Sequence, residues 1–383
     1  MRFLHTADWH LGRIFHNIHL TEDQACVLEQ LVVLIQDVKP DAVVIAGDVY
    51  DRSVPPPEAV RLLDDILSRI LLDCRVPVIV TAGNHDSPER LGFGDKVMAR
   101  QNLHVIGQVS SVTQPVILRD NHGPVYFCPM PYAEPAVVRE RFQDSEVHSH
   151  DQALALLARR FDGLVPSGAR RVAVAHAFVA GGTSSESERP LSIGGIATVD
   201  AATFAAFHYV ALGHLHQAQQ VGAPHIRYSG SLLKYSFAEA THRKTVSLVE
   251  LDAAGQATVE AITLTPRRNV RCLEGQLTDI LAAADRDAAR DDYVMVTLKD
   301  SGAILDAMGK LRQAYPNILH LERARFAGES SEGTVGDHRR RSKQDLFGDF
   351  FAQVTGQPLA EAEAATLARL FDEFARRERE VGP

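Results

Sequence analysis

A chain of 383 residues, 45% hydrophobic and 23% charged, has room for two or three domains and the composition of an ordinary globular protein, which excludes a disordered or fibrous one. Its formal net charge of -9 excludes a protein that coats DNA over its whole surface, because non-specific affinity comes from phosphate neutralisation by Lys and Arg. No apolar run reaches the roughly 18 residues of a membrane span, and Met1-Arg2-Phe3-Leu4-His5 lacks a leader's apolar stretch, so the expected location is the cytosol and no membrane contact is expected.

In chain order, Phe3 to Ala7 predicts a strand, and Thr21-Glu22-Asp23-Gln24 predicts a capping box opening a helix that carries Val27, Leu28, Leu31, Val32 and Ile35. Asp41 to Ala46 predicts a second strand, Pro55-Pro56-Pro57-Glu58 a helix running to Leu72, and Val76 to Thr81 a third strand. Arg171 to Ala175, Tyr209 to Leu212, Ile226 to Ser229, Thr245 to Leu251 and Ala257 to Leu264 predict further strands, and the alternation in the first half is that of an α/β layered sheet. Thr265-Pro266-Arg267-Arg268 predicts a break. Beyond it comes strand, helix (Asp279 to Ala289), strand (Tyr293 to Leu298), helix (Ala303 to Ala314) and strand (Ile318 to Arg323). Gly328 to Arg341 has the composition of a flexible linker. Two helices, Gln344 to Thr355 and Leu359 to Arg377, then carry an apolar stripe of Phe347, Phe350, Phe351, Leu367, Leu370, Phe371 and Phe374, larger than a short hairpin can bury by itself. Cys26, Cys74, Cys128 and Cys272 have no CxxC spacing and read as reduced core residues.

Five strand ends carry the chemistry: Asp8-x-His10, Gly47-Asp48-x-x-Asp51, Gly83-Asn84-His85-Asp86, His176, and Gly213-His214-x-His216. Ligands of α/β sheets gather beyond the carboxyl ends of strands, so these residues are expected on one rim. Asp48 is the natural bridging carboxylate for two cations roughly 3.5–4 Å apart. Asp8, His10 and His216 are assigned to one ion and Asn84, His176 and His214 to the other. Two dications bring four positive charges and the two carboxylates return two, which leaves a match for one hydroxide and one phosphodiester. A water activated by both ions is the expected nucleophile. Mixed nitrogen and oxygen ligands suit Mn²⁺, Fe²⁺ or Zn²⁺ over Ca²⁺. His85, not needed as a ligand, is the expected general acid, with Asp51 as its orienting carboxylate and Asp86 orienting a ligand histidine.

Singly these elements are weak. Asp-x-His is common, a His after an apolar strand is more often a buried structural residue, and Asp51 and Asp86 are ordinary loop residues. Their order, each at a strand end, is what favours a site. His5, His16, His19 and His104 read as structural or solvent histidines, Tyr228-Ser229-Gly230-Ser231 as a turn, and Arg339-Arg340-Arg341 with Lys343 as a solvated charge run.

This ordered set resembles the calcineurin-like metallophosphoesterase superfamily over Asp8 to His216. Within it, His5-Thr-Ala-Asp-Trp-His-Leu-Gly12, Tyr228-Ser-Gly-Ser231, Phe237-Ala-Glu239 and the C-terminal organisation are similar to the SbcD family of bacterial nuclease subunits. The resemblance implies an α/β fold, a layered β-sandwich flanked by helices, with a small α+β capping domain and a C-terminal helical pair. It divides the chain into a nuclease domain (1–265), a DNA-binding cap (266–326), a linker (327–342) and a docking tail (343–383). It implies two divalent ions, Mn²⁺ first and Mg²⁺ among the others, and a DNA exonuclease and endonuclease acting on double-strand ends, hairpins and single strands. Its partners would be an SbcC-type coiled-coil ATPase and a second copy, as a homodimer within a heterotetramer. The related eukaryotic and archaeal proteins typically carry a histidine where this chain has Asp51, which singles out the partner of His85 for scrutiny. The chain has no Gly-x-x-x-x-Gly-Lys-Ser/Thr, so any ATP dependence must come from the partner. The other reading is a phosphodiesterase or phosphatase for small molecules or phosphoproteins on the same site.

Overall fold

The apolar runs of the first half are strands buried on both faces, which is why they read as continuous rather than alternating. In the computed structural model, Arg2–Thr6, Ala42–Ala46, Val78–Thr81 and Leu103–Ile106 pair in parallel, and Thr245–Leu251 and Ala257–Thr263 extend the Arg2–Thr6 edge antiparallel. A second six-stranded sheet runs Gln219–Val221, Ala223–Tyr228, Tyr209–Gly213, Arg170–His176, Gly123–Met130, Val116–Asp120. Its four inner strands are parallel. The structure describes residues 1–189, 191, 197–301, 304–324, 347–348, 351 and 357–380, with 372–380 described by backbone alone.

Side-chain alternation along the strands assigns each face. Phe3, Val44, Ile79, Phe127, Val172, Val174, Tyr209 and Ala211 form one apolar cluster, which joins strands of both sheets. Ala173, Ala175, Val210 and Leu212, one residue out of phase, join Leu154, Leu157 and Phe161 of the His150–Asp162 helix. The layered sandwich flanked by helices is therefore the fold. Sequence patterning found most of the inner strands and missed Gly123–Met130 among them, the strands Leu103–Ile106 and Val116–Asp120, and the helices Pro135–Phe142 and His150–Asp162.

The capping box expected at Thr21 is not formed. The Thr21–Val38 helix begins after Leu20 with no side-chain cap, and the Gln24 side chain is engaged elsewhere. The box exists instead at Ser149 and Gln152. The cysteine expectation also needs correction: only Cys128 is buried, Cys26 and Cys74 are partly exposed and Cys272 is exposed, all as free thiols.

The molecule divides into two compact units, Met1–Arg271 and Cys272–Pro383. The strand Val270–Gly275, which enters the second unit at Cys272, forms a three-stranded sheet with Tyr293–Leu298 and Ile318–Arg323 over the helices Leu277–Ala284 and Ala307–Ala314, around Ile280, Val294, Val296, Leu311 and Ile318. Both helices are shorter than expected. Asp306 caps the second by accepting from the Gly309 amide at 3.1 Å, which sets its start at Ala307. The last helix spans Glu361–Glu380, and the Phe347 and Phe371 rings meet edge to face at 6.4 Å. The linker at 327–342, Arg339 to Arg341, Lys343, most of the expected helix at 344–355, and the side chains of Phe350 and Phe374 lie outside the described residues. No helix among the described residues is long and apolar enough to cross a membrane.

Arg170 locks the edge of the second sheet. Its guanidinium meets both Asp120 oxygens, at 2.8 and 2.6 Å, and the Gly123 carbonyl at 2.9 Å, with both side chains nearly buried. Arg170 and the other donors around Asp120 hold its carboxyl well below the usual range. A depressed carboxylate adds stability above its unfolded value of about 3.9, and that stability is lost as pH falls through the folded value. We expect Arg170→Met to cost about 3 kcal/mol at neutral pH in urea unfolding, by taking the guanidinium from the nearly buried Asp120 and leaving it the Met1 ammonium and the His122 amide. The gap from wild type should close as the solution is acidified below about pH 4.

Candidate metal centre

The parallel pairing of Arg2–Thr6 with Ala42–Ala46 continues past the strand ends as a zipper of backbone bonds. The amides of Asp8, His10 and Leu11 donate to the carbonyls of Gly47, Asp48 and Val49 at 3.1, 3.0 and 2.9 Å. This zipper needs left-handed backbone at Asp8 (φ 54°), His10 (φ 47°) and Asp48 (φ 48°), a cluster of strained positions of the kind found at functional sites. Asp86 ties in the third loop, accepting from the amides of Val49, Tyr50 and Gly83 at 3.1, 2.9 and 2.9 Å. Burial and the nearby Asp48 push its carboxyl up to about 7 against those three bonds. Asp86 thus braces loops and touches no ligand histidine, contrary to its expected role.

The second sheet closes over this rim through His214 and His176. The His214 amide donates to both Asp8 oxygens at 2.9 and 3.1 Å, and His176 Nδ1 donates to the Ala46 carbonyl at 3.0 Å. Such closeness requires missing side chains: a Cβ on Gly47 (φ +88°) would stand 2.3 Å from His176 Nδ1, and one on Gly83 2.2 Å from Asp48 Oδ1.

The result is a buried cluster of carboxylates and imidazoles. Atoms of Asp8, His10 and His216 lie within 4.8 Å of one another, as do atoms of Asp8, Asp48 and His176. Asp8 therefore belongs to both groups, where the sequence placed it in one. The Nε2 atoms of His10 and His216 are 3.0 Å apart, converging on one point. Asp48 Oδ2 lies 3.7 Å from His10 Nε2 and 3.4 Å from His176 Nε2, facing both groups as a bridge would. Asn84 Oδ1 is 2.9 Å from His176 Nε2. His214 contributes its amide, and its ring packs edge-on against His176 at 5.5 Å and against Phe178 at 6.1 Å.

Electrostatics follow from burial. Burial raises the Asp8 carboxyl well above its usual range, against the pull of His176. Asp48, equally buried, is held well below its range by His176, His10 and His85. Burial would lower His176, but Asp48 and Asp8 outweigh it and hold the imidazole up to about 9. His10, His214 and His216 are lowered, burial first, which favours the neutral form that a metal ligand needs. Between protein groups alone, the proton on His176 balances Asp48; a divalent cation can take that place. Two carboxylates with neutral imidazoles and an amide oxygen fit a first-row dication of mixed N,O preference.

His85 sits beside this cluster. Its amide donates to Asp48 Oδ1 at 2.8 Å, its Nδ1 donates to the Asp51 backbone carbonyl at 2.7 Å, and its Nε2 lies 4.0 Å from Asp48 Oδ2. Here the sequence reading of Asp51 is corrected: its carboxylate meets Arg13 at 2.8 Å and stands 3.6 Å from His10 Nδ1, and only its backbone oxygen orients His85. Burial lowers the His85 pKa, with Asp48 opposing. His5, read as structural, is indeed buried and bound to Tyr209 and Leu212.

Other supporting residues escaped sequence reading. Gln24 bonds the carbonyls of Trp9 and His10 and the Gly12 amide, and Tyr235 donates to the Trp9 carbonyl at 2.5 Å while its ring abuts His10 and His216. Glu239, Lys244, Ser187 and Glu188 surround His216. No periodicity marks them.

Residues 1–218 match the calcineurin-like phosphoesterase family, and residues 266–355 match the type 5 capsule protein repressor C-terminal domain. The chain is 32% identical over 378 residues, 99% of its length and 100% of the relative's, to the SbcD subunit of the SbcCD nuclease of Staphylococcus epidermidis. The chain belongs to the SbcD branch of the calcineurin-like phosphoesterases. It is accordingly a metal-dependent phosphoesterase. A crystal structure of a Thermus thermophilus protein (15% identity, 68% of this chain, 98% of that one, TM-score 0.38) and one of a dimetal phosphatase from Danio rerio (14%, 70%, 99%, 0.39) are also similar to it.

Because Gly83 leaves no space beside Asp48, Gly83→Ala is expected to displace that carboxylate and weaken divalent-ion binding at least tenfold. Calorimetric titration with Mn²⁺ measures it; wild-type affinity in this variant would mean the loop yields freely.

Proposed function

We propose that the chain is a two-metal DNA nuclease, cutting double-strand ends as an exonuclease and hairpins or single strands as an endonuclease, within an ATP-dependent DNA end-processing complex. The observation that carries the chemistry is the convergence of Asp8, His10, Asp48, Asn84, His176 and His216 on one buried rim with His85 alongside. What directs it to DNA is full-length similarity to a nuclease subunit, together with the second unit, for which a small-substrate phosphatase has no need. Asp8, His10 and His216 would hold one ion and Asn84, His176 and His214 the other, with Asp48 shared and Asp8 close to both groups. When bound, the ions supply an activated water and offset the charge of the phosphodiester.

The protein's own part is orientation and proton delivery. Asp51 fixes the His85 ring through its backbone carbonyl, which leaves Nε2 turned toward the cluster. An arriving phosphodiester anion favours the imidazolium, whose Nε2 proton then passes to the leaving oxygen. In this reading 266–326 is the cap that seats DNA, and 343–383 is the tail that docks on an SbcC-type coiled-coil ATPase. Two copies would form the homodimer of a heterotetramer working in the cytosol. Mn²⁺ is the preferred ion.

His85→Ala is expected to lower the cleavage rate by about 10²–10⁴-fold while calorimetry still finds the metals bound. Loss of both ions in that variant would make His85 a ligand instead. To test the substrate, purified chain with Mn²⁺ is given linear DNA, hairpin DNA or p-nitrophenyl esters. Cleavage of DNA is expected; ester hydrolysis without attack on DNA, even with the ATPase present, would establish the small-molecule phosphodiesterase.

A further inference from the structure

We propose that Glu239, acting through Ser187, is the positioning carboxylate for His216. The inference rests on the reading of His216 as a metal ligand. Glu239 is fully buried, and its Oε1 faces the imidazole: it lies 3.3 Å from His216 Nδ1, and it accepts the Ser187 hydroxyl. Ser187 Oγ in turn sits 2.6 Å from the same Nδ1. A hydroxyl that donates to a carboxylate has its lone pairs free, so it accepts from Nδ1–H. His216 is thereby held in the tautomer with its proton on Nδ1 and its Nε2 lone pair directed at the point it shares with His10.

Serine, histidine and glutamate together invite a different reading, that of a nucleophilic triad. In a triad the serine and the carboxylate occupy opposite ring nitrogens, so that one nitrogen can take the serine proton. Here both occupy Nδ1, and Ser187 is buried, so it is a relay rather than a nucleophile.

The rest of the surroundings hold the residue's backbone. Lys244 Nζ bridges Glu239 Oε2 at 2.5 Å, the His216 carbonyl at 2.8 Å and Ser231 Oγ at 2.8 Å, and Glu188 Oε1 accepts from the His216 amide at 2.8 Å. Ring, amide and carbonyl of one residue are each fixed by a separate side chain. His10 is held less closely: its Nδ1 stands 3.6 Å from Asp51 Oδ1, an oxygen that also pairs with Arg13, and no hydroxyl of the described residues lies between them. His216 is therefore the fixed member of the His10 and His216 pair, and Glu239 supplies the negative end of the chain that fixes it.

The test is calorimetric titration of the full chain with Mn²⁺ alone, for wild type, Glu239→Gln, Ser187→Ala and Ser187→Thr. Wild type should take up two ions. Ser187→Ala and Glu239→Gln should weaken one of the two by about 10–100-fold and leave the other unchanged, and Ser187→Thr, which keeps the hydroxyl, should restore wild-type affinity. Unchanged affinity for both ions in Ser187→Ala would overturn the proposal, as would an equal loss at both sites with a lowered urea midpoint, the mark of a purely structural role. If Glu239→Gln fails to fold, Ser187→Ala, which removes a single hydroxyl, still decides. Wild-type chain that binds no pair of ions would instead overturn the dimetal reading beneath it.

Discussion

Two carboxylates, Asp8 and Asp48, lie buried where one sheet's strand ends meet the other's, and the architecture of the site is the answer to their charge. Like charges in a low-dielectric interior repel strongly and lose their hydration, so each must be met by donors or cations. The first sheet alone offers Asp48 the His85 amide; the second brings the His214 amide to Asp8 and the His176 imidazole to both carboxylates. The sheets are thus joined at this rim by polar bonds and elsewhere by Phe3, Val172, Val174 and Tyr209. Gly47 and Gly83 matter for the same reason, since a methyl group at either would hold the partners apart.

This constraint explains what was legible in the sequence. Each candidate ligand loop follows an apolar run because a strand buried on both faces must end where its backbone can turn toward the site, and the runs before Asp8, Asp48, Asn84, His176 and His214 are such strands. The edge strand Val116–Asp120 and its inner neighbour Gly123–Met130 lacked that signature, since the first is partly exposed throughout and a short turn joins the two. The four residue types S/T-x-x-E/Q occur at both Thr21 and Ser149, yet only Ser149 caps its helix, because Gln24 is drawn to the carbonyls of Trp9 and His10. Tertiary demand overrode a local rule.

What sequence could not supply is which atom of a residue faces which. Asp51 was singled out for its carboxylate, and it is the backbone oxygen that orients His85 while the carboxylate turns to Arg13 and His10. Asp86 was singled out as a partner for a histidine, and it holds three amides instead. In both cases the position was significant and the contact was not deducible, since one rotation about a side-chain bond separates the alternatives. Glu239 was quoted only as part of a resemblance, because it lies in a short turn, Phe237–Glu239, with no periodic pattern to distinguish a buried carboxylate from a surface one.

The environments of the histidines separate their chemistry. His176 has both ring nitrogens engaged, by Ala46 and by Asn84 and Asp48, so a cation bound at its Nε2 would displace the proton there. The Nε2 atoms of His10 and His216 face each other at 3.0 Å, where one ring donates its Nε2–H to the other's lone pair, and a cation bound there would take that proton's place. The His85 ring differs, with Nδ1 tied to a carbonyl and Nε2 at the margin of the cluster, 4.0 Å from Asp48. A ring so held can gain or lose a proton at Nε2 without a ligand being withdrawn from a metal. His176 and His85 both tie Nδ1 to a backbone carbonyl, so what sets the His85 ring apart is where its Nε2 stands, at the margin of the cluster and not within it.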